Sequence, residues 1–246
     1  MNRDRSTVDA LTADIKSLAG ASTADLVGIA AGGAFTAQEL GDLGARFGPV
    51  QSVIVLAQRI VDPIQTVRFR SGAGYDDSRV AASFADAMLR DACWRAVEIL
   101  RDAGYRAAIA RNLRYGADDP RHHLSYKKAG VLAGLGAFGR SQLLIHPEWG
   151  PWLRLRVVVT DAALPPDAPI DLSPCYGCRL CVEACPSGAL AEEGFDRAAC
   201  ENFYGEPASH TVAQLSPNGY INCEECMRAC PVGAAPPRFA AGVGKP

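Results

Sequence analysis

Apolar residues recur at helical spacing near the N-terminus: Val8, Leu11, Ile15 and Leu18 share one face of residues 7–19, and Gly20 closes the segment. Residues 26–30 form a short apolar run that reads as a strand. Thr36 and Glu39 stand in capping-box register, opening a helix that runs to Phe47 and stops at Gly48-Pro49. Residues 50–57, apolar throughout 53–57, read as a buried strand, and 59–75 read as a long loop with Gly72 and Gly74. The longest helix is predicted over 77–103 with Gly104 as its stop. A strand follows at 105–110, a helix at 125–133, and strands at 143–146 and 153–160, the last rich in valine. The Pro- and Ala-rich stretch 162–171 interrupts the pattern. Strands and helices do not alternate regularly, so the expected class is α+β, with an α/β domain over 1–161 followed by a smaller unit over 162–246.

Composition bounds this picture. The chain has 246 residues, 48% of them apolar, enough for one large core and one small domain. No stretch approaches the roughly 18 apolar residues of a membrane span. Net charge is −2, but unevenly distributed: residues 1–160 carry 20 Lys and Arg against 16 Asp and Glu, whereas 161–246 carry 5 against 11. An acidic small unit beside a basic large one could help the two dock or steer a redox partner, and solvated surface charge explains it equally well. The balance argues against nucleic acid as a partner.

The cysteines change the picture most. Eight of the nine lie between 175 and 230. Cys175, Cys178, Cys181 and Cys185 are separated by two, two and three residues and followed by Pro186, the spacing of a bacterial [4Fe–4S] ferredoxin segment. Cys223, Cys226 and Cys230-Pro231 repeat the end of that run, with Cys200 upstream as the missing member. A disulfide scaffold belongs to short secreted chains, and the polar N-terminus has no apolar signal-peptide core. Zinc sites usually take two separated pairs rather than three close cysteines ending in Cys-Pro. In such paired runs three cysteines wrap one cube and the fourth ligates the other cluster. One cluster is therefore expected on Cys175, Cys178, Cys181 and Cys230, and a second on Cys185, Cys200, Cys223 and Cys226. Thiolate ligation needs reduced thiols, which fits a cytoplasmic setting. Cys93 sits apart in a helical segment and reads as a small buried apolar residue.

Residues 128–161 contain Gly134, Gly136 and Gly139 in GxGxxG register. A dinucleotide site wants a strand before such glycines and a helix after them; here the order is reversed, so they either let backbone approach a flat ligand or make turns. The stretch AGLGAFGRSQLLIHPEWGPWLRLRVVVTD, the two cysteine runs, DRAAC at 196–200, CEECMRACP and the N-terminal DLVGIA together resemble the epoxyqueuosine reductase and reductive dehalogenase superfamily. The resemblance covers roughly residues 20–233. It implies a nitroreductase-like α/β domain that binds cobalamin, followed by a ferredoxin-like domain whose two [4Fe–4S] clusters feed it electrons. The corrinoid-lining positions it implies are Gly134, Leu135, Gly136, Gly139, Arg140, Leu143 and Gly150. A flavin in place of the corrinoid is the other cofactor choice, since nitroreductase-like folds bind one.

The departures from that family pattern also matter. Epoxyqueuosine reductases have a proton-donating acid about fourteen residues before the first motif glycine, where this chain has Pro120 preceded by Asp118 and Asp119. Their C-terminal helical-repeat extension has no counterpart after the second cysteine run, and the twin-arginine signal of respiratory dehalogenases is not at this N-terminus. Asp119, His122 and Tyr126 are the proton-donor candidates, near His123 and Lys127, with helix capping as the plain alternative. His146 could serve as a lower corrinoid ligand or be an ordinary surface histidine. Arg101, Arg106, Arg111, Arg114 and Arg121 could face an anion or be spread over a helix end and a strand. Two functions follow. One is a corrinoid-dependent reductase of a small substrate, supplied by an electron donor such as ferredoxin or flavodoxin. The other is an electron-transfer or corrinoid-reducing accessory protein with no substrate site.

Overall fold

The computed structural model of the chain describes residues 5–20, 24–60, 77–110, 124–192, 194–200 and 225–233. Helix α1 (Arg5–Lys16) leads into strand β1 (Leu26–Ala31), a single 3-10 turn (Gly32–Ala34) and α2 (Ala37–Phe47). Strand β2 (Ser52–Arg59), the long α3 (Asp77–Asp102), β3 (Ala107–Ile109) and α4 (Tyr126–Leu132) follow. A two-stranded hairpin, β4 (Ala137–Phe138) and β5 (Leu144–Ile145), precedes β6 (Leu153–Thr160). In the cysteine-rich region the short helices α5 (Leu180–Glu183) and α6 (Glu225–Arg228) are described, and residues 197–200 are also helical.

The main sheet has the order β1-β2-β6-β3 and every neighbouring pair is antiparallel. An antiparallel sheet with helices packed on it is α+β, as the irregular element order predicted. Alternate residues of the central strands feed two cores. Ile29, Ile54, Leu56 and Val158 pack with α1 and α3 on one face, while Val53, Val55, Val157 and Val159 pack with the α4 side on the other. Both faces of β2 are covered, which is why Val53–Ala57 at its centre is a continuous apolar run. Helix α3 lays Leu89, Ala92, Cys93, Ala96, Val97 and Leu100 against the first core. Burial pushes the Cys93 thiol up to about 12, so it stays a neutral apolar filler, as its isolation in the sequence suggested.

Local signals hold up where the chemistry is local. The Thr36 hydroxyl accepts from Glu39 N–H at 3.2 Å and the Glu39 carboxylate accepts from Thr36 N–H at 2.8 Å, the reciprocal capping box expected. Helix α2 is nevertheless interrupted at Gly41, whose φ of 47° and ψ of −134° are non-helical.

The stretch 162–171 is not a loose linker. Ala162 and Leu164 are buried in the first core. Asp167 then lies along β1, the sheet's edge: its N–H donates to Ile29 O at 2.8 Å, and its carboxylate accepts from Ile29 N–H at 2.7 Å. Lys16 forms an ion pair with the same carboxylate and donates to Val27 O at 3.0 Å. Proline and alanine signal the absence of a helix or strand there, but not the absence of packing. The boundary placed at 161/162 therefore falls inside a segment clamped to the larger domain.

Candidate metal centre

Helices α5 and α6 pack on each other and bring the two cysteine runs together. Cys175, Cys178, Cys181 and Cys230 line a single cleft, completed by Pro174, Leu180, Pro231 and Val232 from the cysteine-rich region and by Ser141 and Ile145 from the larger domain. The cleft thus gathers three cysteines of the first run and the last of the second. Cys185 and Cys226 do not line that cleft. Cys200 closes a helical turn, its N–H donating to Asp196 O at 3.2 Å, and Cys223 lies outside the described residues.

The electrostatics suit sulfurs awaiting a cation. Burial pushes the Cys181 and Cys230 thiols up, and the neighbouring sulfurs, Cys175 and Cys178 in both cases, push the same way. Ionising several of these thiols together needs positive charge among them, which a metal core supplies. Among the described residues no three His, Cys, Asp or Glu side chains converge on a point that could hold one ion. Four cysteines lining one cleft are a donor set that fits a [4Fe–4S] cluster. At Cys185 burial acts upward, but the Ser187 hydroxyl and the backbone N–H groups of Leu190, Ser187 and Ala189 outweigh it and hold the thiol below its ordinary value. The Ser187 oxygen lies 3.5 Å from the Cys185 sulfur.

The glycine-rich segment supplies the other wall. The β4–β5 hairpin pairs Ala137 with Ile145 and Phe138 with Leu144, and Gly139 N–H donates to Leu143 O at 2.9 Å. At its tip the Arg140 N–H donates to Cys175 Sγ at 3.2 Å. A Cβ on Gly139 would stand 2.6 Å from the Ile145 side chain and 3.5 Å from Cys175 Sγ. The other positions that the resemblance assigned to a corrinoid meet the protein's own atoms. A Cβ on Gly134 would approach Ala168 O at 2.5 Å, and one on Gly136 would approach Ile145 O at 2.3 Å. Leu135 is buried in the second core, Leu143 serves the hairpin through its carbonyl, and Gly150 faces Val232. These glycines let backbone meet backbone, and on the side where a Cβ would stand they leave no cradle for a flat ligand. Arg140 is different: its Nε is buried with no hydrogen-bond partner among the described residues, an orphaned donor that an acceptor on a cofactor could satisfy.

The proton-donor candidates separate. Asp119 and His122 lie outside the described residues, as do Asp118 and His123. Tyr126 is 4% exposed and its hydroxyl donates to the Ala110 carbonyl, which ties α4 to the end of β3. That is the geometry of a structural tyrosine, its hydroxyl proton holding α4 to the end of β3. Tyr126→Phe removes this donor from Ala110 O and is expected to lower unfolding free energy by about 1–3 kcal/mol in urea titration, with iron content unchanged. Normal stability together with lost turnover would return Tyr126 to the chemistry. His146 stacks on Trp149, with centroids 4.6 Å apart, and its Nδ1 accepts from the N–H groups of Glu148 at 3.2 Å and Trp149 at 3.3 Å. Burial lowers its pKa, so it is a neutral turn-forming histidine. Arg106 pairs with Asp161 and lies over Phe47, so it is not held ready for an anion. Sequence reasoning missed Ser141 and Ile145 as cleft residues. The available signal was a lone serine at the tip of an otherwise apolar and glycine-rich turn.

Comparison with known proteins gives the same picture. Residues 174–234 match the family model of a 4Fe-4S dicluster domain. The epoxyqueuosine reductase of Bacillus cereus is 31% identical over 112 residues, which are 44% of this chain and 29% of that protein. The fold resembles the solved epoxyqueuosine reductase of Bacillus subtilis, with TM-score 0.59 and 17% identity over 92% of this chain and 66% of that one. It also resembles a reductive dehalogenase whose structure suggests a mechanism for B12-dependent dehalogenation, with TM-score 0.63 and 22% identity over 90% of this chain and 32% of that one. The match spans less than a third of that curated relative. In sequence the chain thus resembles epoxyqueuosine reductases, and in fold it resembles both an epoxyqueuosine reductase and a reductive dehalogenase. No helix among the described residues is long and apolar enough to cross a membrane.

Proposed function

We propose that the chain is an iron–sulfur oxidoreductase of the epoxyqueuosine reductase and reductive dehalogenase type. Cys175, Cys178, Cys181 and Cys230 hold one [4Fe–4S] cluster; Cys185, Cys200, Cys223 and Cys226 hold a second. Such clusters supply one-electron transfer, and a corrinoid at the accepting end supplies the reduction of a small substrate. The observation that carries the reading is the meeting of cysteines from both runs in one cleft, closed by the larger domain's hairpin. There the chain's own residues wall one side with the buried Ile145 and fix Cys175 through the Arg140 N–H. A corrinoid is supported by the likeness to a dehalogenase described as B12-dependent and by the orphaned Arg140 Nε. An electron donor such as ferredoxin or flavodoxin, in a reducing compartment such as the cytoplasm, completes the scheme. Asp119 and His122 remain the proposed proton donors.

One observation favours a second reading. The glycines expected to cradle the corrinoid are filled on their Cβ side by protein, which suits an electron-transfer or corrinoid-reducing protein without a substrate site. Anaerobic purification with iron and sulfide analysis, followed by titration with hydroxocobalamin, separates the two. About eight irons per chain are expected, with tight base-off cobalamin under the first reading. Iron near four removes the second cluster, and full iron without bound cobalamin leaves the electron-transfer reading.

A further inference from the structure

The cleft of Cys175, Cys178, Cys181 and Cys230 has ten lining residues, and apart from the cysteines only Ser141 carries a polar side chain. Ser141 is 8% exposed, and among the described residues its hydroxyl makes no hydrogen bond. A hydroxyl on the wall of this cleft is a donor whose proton a sulfur there can accept.

The turn that carries Ser141 is firmly built. Gln142, the next residue, adopts a φ of 58°, unusual for a residue with a Cβ. Its N–H donates to Gly139 O at 3.0 Å, and its carbonyl accepts from Lys127 Nζ at 2.6 Å, tying the turn to α4. With the Arg140 N–H already on Cys175 Sγ, consecutive residues of the larger domain bring two donors to one sulfur-lined cleft.

We propose that Ser141 sets the reduction potential of the cluster in this cleft, its hydroxyl donating a hydrogen bond to a cluster or cysteine sulfur beside the Arg140 N–H. The inference rests on the cluster assignment above. A cluster becomes more negative when it takes up one electron, so a donor at its sulfurs stabilises the reduced form more than the oxidised one and raises the potential. Ile145, 1% exposed, gives the cleft one buried apolar wall on the hairpin side, where a hydrogen bond is less weakened by water. The larger domain thus acts as a tuning element for a cluster whose ligands all come from the other part of the chain, and Ser141 is a positioning residue rather than a catalytic one.

The test is a dithionite titration of the cluster-loaded chain, followed by paramagnetic resonance. Ser141→Ala should lower one of the two midpoints, with the one-electron reduction constant falling about tenfold, or about 59 mV, while the other midpoint stays in place. Ser141→Thr keeps a hydroxyl and should keep the original midpoint. The proposal is overturned if Ser141→Ala retains its iron and neither midpoint moves, or if both move together. Should Ser141→Ala fail to hold iron, the unaltered protein decides. After exchange into deuterated water, electron–nuclear double resonance should show two exchangeable deuterons coupled to the cluster lost in Cys175→Ala, the Arg140 amide and the Ser141 hydroxyl, and a single amide-type coupling overturns the proposal. Iron well below eight per chain in the unaltered protein would sink the cluster assignment itself, which is a different failure.

Discussion

Cys230→Ala is expected to halve the bound iron, from about eight to about four per chain, while Cys93→Ala leaves it unchanged. Cys230 belongs to the second cysteine run in sequence but lines the cleft of the first. Removing it leaves Cys175, Cys178 and Cys181 around an open corner and does not touch the other ligand set. Cys181→Ala should therefore give the same residual paramagnetic spectrum as Cys230→Ala, and Cys226→Ala the complementary one. If Cys230→Ala instead matched Cys226→Ala, each run would hold its own cluster and the interleaved assignment would be wrong. Cys93 is the internal control because it is fully buried in the first core, beside α3's apolar face and away from the cleft.

Gly150→Ala is expected to destabilise the chain by several kcal/mol and to cost the cleft its iron, although residue 150 carries no ligand. Two effects add. Gly150 has a φ of 58° and Gly233 a φ of 71°, a region where a side chain costs of order 1–3 kcal/mol. The larger effect is crowding. A Cβ on Gly150 would stand 1.8 Å from Val232 O, and one on Gly233 would stand 2.1 Å from Trp149 C. Backbone meets backbone on both sides, so no flexible side chain can yield. Val232 lines the cleft two residues after Cys230, and whatever displaces it displaces a ligand. Gly20→Ala isolates the conformational part, because Gly20 has a φ of 79° with nothing within 4 Å of its would-be Cβ. The expected order in thermal unfolding is a modest drop for Gly20→Ala and a much larger one for Gly150→Ala, with iron lost in the second alone. Equal effects would mean that the contact between Trp149–Gly150 and Val232–Gly233 does not hold the cluster region in place.

Much of this molecule was legible before its structure, and the dividing line is range. The capping box at Thr36 and Glu39, the stop at Gly104 and the valine-rich strand ending at Thr160 rest on neighbours a few residues apart, and the structure has them. The cysteine grouping was legible because cluster geometry imposes spacing on the chain. The meaning of the glycines was not: Gly134 answers to Ala168 and Gly150 to Val232, partners far along the sequence that no local pattern announces. Tyr126 misled for the same reason, since Ala110 lies sixteen residues away and only the folded chain brings its carbonyl to the phenol. Ser141 was passed over because a serine is unremarkable until its surroundings are known to be sulfur and hydrocarbon.

The clamp of Asp167 on β1 bears on how the molecule meets its own copies. An outermost strand with free N–H and C=O groups is a template on which a second chain can build. Here the Ile29 N–H is taken by the Asp167 carboxylate and the Ile29 carbonyl by the Asp167 N–H, with Lys16 placing a charge on the same margin. At the opposite margin β3 is only three residues long. The sheet therefore ends within its own chain on one side and is too short on the other to recruit a neighbour.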